Sequence, residues 1–453
     1  MRDLRHRTGA AAPGAVIERV SAEDLMQLAS DVGPVPWQMG VILQMEAAAD
    51  FDAPAAMELV AERIRTVPRL RQVLVPAPPG CGRPVWVDDA DFDVRRHLRS
   101  VACPPPGDET ALLETAAAIV TERLPSSRPL WRATFVTGLA GSRIGLVVAF
   151  HHVLADGVGG LAVLGNLVDG ASAPAAVPFP RPAPSRRQLA AEAWHARLAA
   201  LARSAALLST VRRAVTELNP AGAVHAPDTT LNQPTGRDRR LAVVRTDLAH
   251  VRDVAHAHGA TVNDVVLTAI TGALGGLLTR RGENVESLVV SVPVSARISS
   301  TTAELGNRVG VMAVSLPLCG DHTERLERIA GITQAQKTAI RGASAAVLGP
   351  VFRALAAAGV LRWFVNRQRL VNVFETNLRG PDRHLAFAGH RITDVLPVGG
   401  VTGNVATSFA AMSYAGTLAI VVIADPERQP DLGILPTLLQ HELDRMTTGA
   451  ASG

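Results

Sequence analysis

The chain has few cysteines, few aromatic residues and almost no lysine. Its three cysteines, Cys81, Cys103 and Cys319, are odd in number and widely spaced along 453 residues. Such spacing is evidence against a disulfide framework and against a metal site, and it is typical of a cytoplasmic protein. None of the three has a sequence context typical of a catalytic nucleophile.

Long apolar runs are also lacking. The basic segment Met1 to Thr8 is not followed by an apolar stretch, so we expect no signal peptide. The nearest approach to a membrane span is Ala345 to Phe364, which contains Pro350, Arg353 and Arg362. These interruptions predict an amphipathic or buried helix at this position rather than a span.

The composition that remains describes a globular protein with a large aliphatic core. Hydrophobic residues make up 47% of the chain and charged residues 19%, and the length is natural for two domains. The formal net charge is +4, and Lys337 is the only lysine among 45 basic residues. A GC-rich genome explains the arginine bias, but arginine also suits nucleotide phosphates or an anionic membrane surface. We expect no nucleic-acid partner and no metal.

The most informative segment is an apolar run that ends in two adjacent histidines. Ile144 to Phe150 predicts a buried strand, and His151, His152, Asp156 and Gly157 follow at fixed offsets. A glycine-containing turn and an apolar helix pattern come next. Reactive side chains often lie where a strand meets a loop, because the strand fixes them and the loop admits substrate.

These residue types indicate proton transfer. Imidazole has an unperturbed pKa near neutrality, so it can accept a hydroxyl proton and return it. Since neighbouring strand residues face opposite ways, one histidine should face the reaction space and the other the interior. Asp156 would hold the loop, through an arginine or backbone N–H groups, and Gly157 would permit an unusual backbone angle. The alternative is a core histidine pair before an ordinary Asp-Gly turn.

The order of predicted elements favours an α+β fold in two lobes. The Ala- and Pro-rich segment 171–185 marks a boundary, and Arg186 to Leu218 has a long helical pattern. We therefore divide the chain into an N-terminal lobe with the histidine motif (1–180), a helical connector (181–240) and a C-terminal lobe (241–453). Helices and strands are mixed without strict alternation.

One motif in the second lobe can be explained by helix capping alone. Thr261, Asn263 and Asp264 stand at the head of a predicted helix. Thr followed three residues later by an acid is close to a capping box, and Asp suits the first turn of a helix, so these residues can be explained without chemistry.

Taken together, the motifs resemble those of the bacterial wax ester synthase/diacylglycerol acyltransferases, within the chloramphenicol acetyltransferase-like superfamily. The resemblance covers roughly Glu18 to Arg445. The histidine motif is shared with condensation domains of peptide synthetases, and the narrower match depends on further motifs. These are Pro129-Leu130-Trp131, Asn263-Asp264, Ser291 to Arg297, Gly306 to Gly310, Asn377 to Pro381 and Ser413 to Gly416.

The resemblance implies two lobes with mixed sheets flanked by helices, joined by a helical crossover, with a tunnel between them. It implies that His152 is the general base, deprotonating a lipophilic alcohol that attacks acyl-CoA directly, without an acyl-enzyme. His151, Asp156 and Gly157 would shape the loop. By position, Asn263 and Asp264 would support the acceptor or oxyanion side of the site. The acyl pocket would be formed by Pro129, Leu130 and Trp131. Acyl-CoA would be a co-substrate, with no bound cofactor. Arg297 and Arg308 are candidates for a basic partner of Asp156.

Two positions depart from the family pattern. Trp37-Gln38 stands where a Met-His pair is expected, and the larger ring would narrow a pocket for the acceptor. Arg379 replaces a proline or small residue before Gly380-Pro381, where it would bind a CoA phosphate or face water.

The leading hypothesis is an acyl-CoA-dependent O-acyltransferase that makes triacylglycerol, wax esters or both. The alternatives are a condensation-type acyltransferase using a carrier-protein thioester, and a catalytically weak lipid-binding paralogue. We expect a cytoplasmic protein that attaches peripherally to the inner membrane or to lipid inclusions, through basic helical surface near Arg186 to Arg213 and Ala345 to Arg369.

Overall fold

The computed structural model of the protein describes residues 17–31, 33–46, 51–171, 178–202, 225–295, 309–339, 355, 358 and 360–449. Two six-stranded sheets and a small hairpin are built from these residues. Helices flank both sheets, so the described part of the chain is α+β, as predicted.

The first sheet has the order β11-β12-β1-β6-β5-β4. Its strands are β1 (Gln38–Glu46), β4 (Leu98–Ala102), β5 (Trp131–Leu139), β6 (Arg143–His151), β11 (Ala386–Phe387) and β12 (His390–Val398). The same half of the chain contains helices α1 (Ala22–Ser30), α2 (Ala53–Ile64), α3 (Glu109–Thr121), α4 (Gly157–Leu167) and α5 (Arg186–Ala202), with short 3-10 turns at Pro68–Arg71 and Val94–Arg96. A separate hairpin pairs β2 (Gln72–Val75) with β3 (Val85–Asp88).

The second sheet has the order β7-β14-β13-β10-β8-β9. Its strands are β7 (Arg240–Asp247), β8 (Ser287–Ser295), β9 (Val309–Pro317), β10 (Val373–Arg379), β13 (Thr407–Tyr414) and β14 (Thr417–Ala424). Its helices are α6 (Leu248–Ala257), α7 (Val262–Arg280), α8 (His322–Ala339), α9 (Leu361–Val365) and α10 (Leu435–Gly449), and a 3-10 turn spans Pro430–Gly433.

The two halves of the chain share one sheet and one apolar layer. Strands β11 and β12 come from the second half but lie in the first sheet, where β12 runs antiparallel to β1 with Gly40 opposite Val398. Between the sheets, Ile42 and Val147 pack in one buried cluster with Val421 of β14. The halves are therefore joined by backbone hydrogen bonds as well as by side-chain packing.

Helix α7 is the centre of the second half. Among the described residues it is the one helix with the length and apolar character of a membrane span, but 67% of that span is buried inside the protein. Side chains such as Leu267, Ile270 and Leu274 are inaccessible to solvent and pack against the second sheet. Helix α7 is thus explained as a core helix.

The apolar run that ends in the histidines forms the predicted strand. Ile144 to Phe150 lies within β6, which pairs with β5. The final helix, α10, begins at Leu435 after a 3-10 turn. Pro436 lacks an N–H and is tolerated in the first turn of a helix, which accounts for this start. The predicted helix from Arg186 lies outside the described residues after Ala202, as does most of Ala345 to Phe364.

Candidate active site

The histidine pair lies where β6 ends. His151 is the last residue of β6, opposite Gln38 of β1, and 6% of it is exposed. Its Nδ1 accepts a hydrogen bond from the Val153 N–H at 3.0 Å. In neutral His151 the ring proton therefore lies on Nε2, which is 3.6 Å from Asp31 Oδ2. Both ring nitrogens of His151 are directed at protein groups.

The next residue, His152, is half-buried and faces an aromatic ring. Its imidazole stacks on Trp37, with ring centroids 5.6 Å apart and planes at 11°. The backbone N–H of His152 also donates to the Trp37 carbonyl oxygen at 3.1 Å. The Trp37 indole N–H donates in turn to Gln27 Oε1 at 2.6 Å. Trp37 therefore contacts both the ring and the backbone of His152.

Residues of the second half complete the surroundings of this ring. Phe374 of β10 meets Trp37 edge-on at 6.3 Å. Gly157 does not have the unusual backbone angle predicted from the sequence, because it is the first residue of α4. A side chain at this position would approach Leu378 of β10 to 2.9 Å, so the start of α4 packs directly on the second sheet. A side chain at Gly400, between β12 and β13, would come within 2.7 Å of the Trp37 ring. His152 consequently lies where the two halves meet.

Asp156 fixes the turn after the histidines. It is 2% exposed and is the N-cap of α4, where its Oδ1 accepts the Gly159 N–H at 2.8 Å. This is the backbone N–H arrangement expected for a capping carboxylate. Arg297 and Arg308, the candidate basic partners, lie outside the described residues.

Asp31 is a carboxylate of this site that no sequence motif indicates. Its Oδ1 accepts the Trp37 N–H at 3.0 Å, and its Oδ2 contacts Arg123 at 2.9 Å as well as His151. Burial by itself raises the pKa of Asp31, but the contacts with His151, the Trp37 N–H and Arg123 outweigh it and lower the pKa to about 2. Asp31 is therefore ionised at neutral pH and holds His151 and Trp37 together.

The structure explains why Trp37-Gln38 can stand where the family pattern has a Met-His pair. The Gln38 side chain donates to the carbonyl oxygens of Val120 and Glu122 and accepts the Leu124 N–H at 3.0 Å. Gln38 thereby ties the end of α3 to β1. Trp37 has a different role, because its ring covers one face of the His152 ring.

Pro129, Leu130 and Trp131 support the histidine strand from the neighbouring strand. The Leu130 carbonyl oxygen accepts the His151 N–H at 2.9 Å. The Trp131 ring is 3% exposed, stacks on His97 at 4.6 Å and donates to the Leu70 carbonyl oxygen at 2.7 Å. The side chain of Trp131 thus fills the core of the first half.

Asn263 and Asp264 lie at the start of α7. Asp264 forms a capping box with Thr261 and also accepts the Thr333 hydroxyl at 2.7 Å, so several protein groups engage its carboxylate. Asn263 is half-buried and lines a cavity with Glu375 and Asn377. These two residues of β10 alternate with Phe374 and Leu378, so the cavity and His152 are on opposite faces of the second sheet.

Solved structures of other proteins share this fold. A wax ester synthase/diacylglycerol acyltransferase from Marinobacter aquaeolei VT8 has a similar fold, with a TM-score of 0.69 and 23% identity over 96% of this chain and 100% of that chain. The first condensation domain of the calcium-dependent antibiotic synthetase has a TM-score of 0.65 and 17% identity over 97% and 98%. The fold is thus the two-lobed, chloramphenicol acetyltransferase-like one.

The sequence matches one enzyme family along most of its length. Residues 20–266 match the wax ester synthase/diacylglycerol acyltransferase catalytic domain, and residues 305–447 match the C-terminal domain of the same family. A probable diacylglycerol O-acyltransferase of Mycobacterium tuberculosis is 31% identical over 425 residues, covering 90% of each chain. A putative one from the same organism is 30% identical over 433 residues, covering 90% and 91%. The chain belongs to this family and is an O-acyltransferase, which confirms the resemblance inferred from the motifs.

We predict that Asp156→Ala lowers the melting temperature, because the Gly159 N–H loses its acceptor. Loss of an N-cap costs about 1 kcal/mol of folding free energy. Asp156→Asn is the comparison variant, since asparagine caps nearly as well and removes only the charge, so it should be more stable than Asp156→Ala. Equal melting temperatures for the wild type and Asp156→Ala would contradict the capping role.

We predict that Asp31→Asn removes stability that depends on pH. The folded pKa of about 2 lies below the value near 3.9 of an unfolded aspartate, so ionised Asp31 stabilises the fold above pH ~4. That contribution is lost as the pH falls from ~4 to ~2. The melting temperatures of the two proteins should therefore differ at pH 7 and converge towards pH 2. A difference that does not change between these pH values would show that the charge of Asp31 is irrelevant.

Proposed function

We propose that the protein transfers the acyl group of acyl-CoA to the hydroxyl of diacylglycerol or of a long-chain alcohol, producing triacylglycerol or a wax ester. The observation that carries the proposal is the half-buried imidazole of His152, held against Trp37 where the two halves of the chain meet. The names of the relatives from Mycobacterium tuberculosis support diacylglycerol as an acceptor. The solved relative from Marinobacter supports the fold that this proposal requires.

In the proposed reaction, the imidazole of His152 accepts the proton of the alcohol hydroxyl as its oxygen attacks the thioester carbonyl carbon. The new C–O bond forms, the C–S bond breaks, and the CoA thiolate leaves. The imidazolium then returns the proton to the sulfur. Because no Gly-x-Ser-x-Gly motif is present in the sequence, we assign no covalent acyl-enzyme.

The surrounding residues have positioning roles in this proposal. Asp31 holds His151 and the backbone of Trp37, and His151 accepts the Val153 N–H in the turn that carries His152. Stacking on Trp37 leaves one face of the His152 ring covered, so the acceptor alcohol must approach from elsewhere. A neutral, well-oriented imidazole is the form that can accept a proton.

We also propose that the protein attaches to membranes or lipid inclusions from the cytoplasmic side without spanning them. On α5, Trp194 and Leu198 are 60% and 46% exposed, one helical turn apart, while Leu189 and Ala193 are buried. Trp363 is 62% exposed, and the Arg367 guanidinium lies 5.3 Å from its ring. Exposed tryptophan beside arginine suits the interface of an anionic membrane.

We predict that His152→Ala lowers acyl transfer by about a hundred- to ten-thousand-fold, the usual cost of losing a general base. Thiol release from palmitoyl-CoA in the presence of diacylglycerol or hexadecanol measures the rate. His195→Ala, at an exposed histidine on α5, is the matched control and should keep wild-type activity. Wild-type turnover by folded His152→Ala protein would overturn the assignment of the base.

We predict that Trp194→Ala combined with Trp363→Ala weakens flotation with liposomes that contain anionic lipid. Binding should also fall as salt rises, because it combines apolar burial with charge attraction. Ile434→Ala removes another exposed apolar side chain and serves as the control. Equal flotation of the double variant and the control would show that these two surfaces do not bind lipid.

A further inference from the structure

The indole ring of Trp37 is held on several sides. Its N–H donates to Gln27 of α1, and its face stacks on His152. Phe374 of β10 meets it edge-on. A side chain at Gly400 would come within 2.7 to 3.3 Å of three carbons of its benzene portion, so the loop needs glycine there to accommodate the indole. The ring therefore cannot turn without displacing its neighbours.

Solvent reaches the residues around this ring, although they lie between the two halves of the chain. His152, Phe374 and Leu378 are only partly buried. Leu378 is paired with Met412 of β13, so the two side chains share one face of the second sheet. Met412 is 2% exposed, and its neighbour on the same face, Ala410, is 3% exposed. The halves are thus closely packed along β13 and leave an accessible space beside β10.

The burial of one ring nitrogen limits how a hydroxyl can meet His152. The Nδ1 atom is buried, although the residue as a whole is only partly buried. A hydroxyl that gives its proton to this imidazole must therefore approach Nε2. General-base catalysis needs the oxygen within about 2.6–3.2 Å of that nitrogen. The first carbons of the alcohol then lie beside the imidazole, next to the indole that covers it.

The rigidity of the indole decides which alcohols fit beside it. A single straight chain on the carbinol carbon can extend away from the ring. A second substituent on that carbon, or a branch on the next one, has to occupy space near the ring. The methionine that the family pattern has at this position is flexible and would yield to such a branch, whereas the fixed indole of Trp37 would not.

We propose that Trp37 sets the acceptor specificity of the enzyme by disfavouring alcohols that branch at the carbinol carbon or at the carbon next to it. This inference rests on the proposed function, because it requires an alcohol that meets His152. It makes straight-chain primary alcohols the favoured class of acceptor. The hydroxyl of a 1,2-diacylglycerol has an acyloxy branch on the next carbon, so we expect diacylglycerol to be the slower acceptor.

The test compares three isomeric alcohols of equal carbon number, 1-hexadecanol, 2-hexyl-1-decanol and 2-hexadecanol, in one detergent with palmitoyl-CoA. The first is unbranched, the second branches beside the carbinol carbon, and the third branches at it. Wild-type kcat/KM for 1-hexadecanol should exceed that for each branched isomer by about tenfold or more, the usual effect of one methylene that a pocket does not accommodate. Trp37→Met should reduce each ratio by about tenfold. The intrinsic reactivity of the alcohols cancels in this change.

The design separates loss of the ring from loss of the fold. The backbone contacts of Trp37 with Asp31 and His152 do not depend on its side chain. A ratio measured on one protein also cancels a partial loss of folded enzyme, and melting temperature checks folding. Trp37→Phe keeps a flat ring and should retain more of the preference than Trp37→Met. Gln27→Leu removes the acceptor of the indole N–H and should relax the preference in the same direction, but by less.

Diacylglycerol is the remaining acceptor to compare. The rate with 1,2-dioctanoylglycerol, relative to 1-hexadecanol, should rise in Trp37→Met. Equal ratios in the wild type and in folded Trp37→Met, with thiol release that depends on His152, would overturn the role of Trp37 and leave the proposed function standing. Wild-type protein that uses the branched acceptors as well as 1-hexadecanol would also overturn that role. Absence of thiol release with every one of these acceptors, from folded wild-type protein, would instead overturn the proposed function.

Discussion

The position of β1 between β6 and β12 is the constraint on which the rest of the site depends. Its pairing with β6 sets Gln38 opposite His151, which brings Trp37 beside His152. Its pairing with β12 brings a strand from the second half into the first sheet, and the loop after that strand places Gly400 against the Trp37 ring. One strand thus aligns the histidine motif, its aromatic neighbour and the second half of the chain.

The half-buried Asp31 and the buried Glu375 show how neighbouring groups decide whether a carboxyl group is charged. Asp31 receives a backbone N–H and contacts Arg123 and His151, so its pKa falls to about 2 despite burial. Glu375 has no such partners among the described residues and faces the charge of Asp264, so its pKa rises to about 8. Burial acts in the same direction on both, and hydrogen bonding separates them. Asp31 is therefore ionised at neutral pH, whereas Glu375 is uncharged.

Local sequence was sufficient to predict the elements whose signals are local. The strand ending at His151, the helix starting after Asp156 and the capping box of Thr261 and Asp264 each depend on residues a few positions apart. The family followed from the same short motifs, and both the family and the fold class are confirmed.

Contacts distant in sequence could not be predicted in this way. Asp31 and His151 are 120 positions apart, and no motif connects them. Strand β10 pairs with β8 at only two positions, and no local sequence pattern describes that pairing. The transfer of β12 to the first sheet is likewise a property of tertiary structure, so the division at residue 241 does not describe how these strands are arranged.

The central claim is direct transfer between two substrates bound together, with His152 as the base and no acylated residue. The most direct measurement is the initial rate of thiol release against acyl-CoA concentration at several fixed alcohol concentrations. Double-reciprocal lines should intersect, and no burst of thiol should occur without alcohol. Parallel lines, together with a mass increase of one acyl group on the intact protein, would contradict the account and require a covalent intermediate.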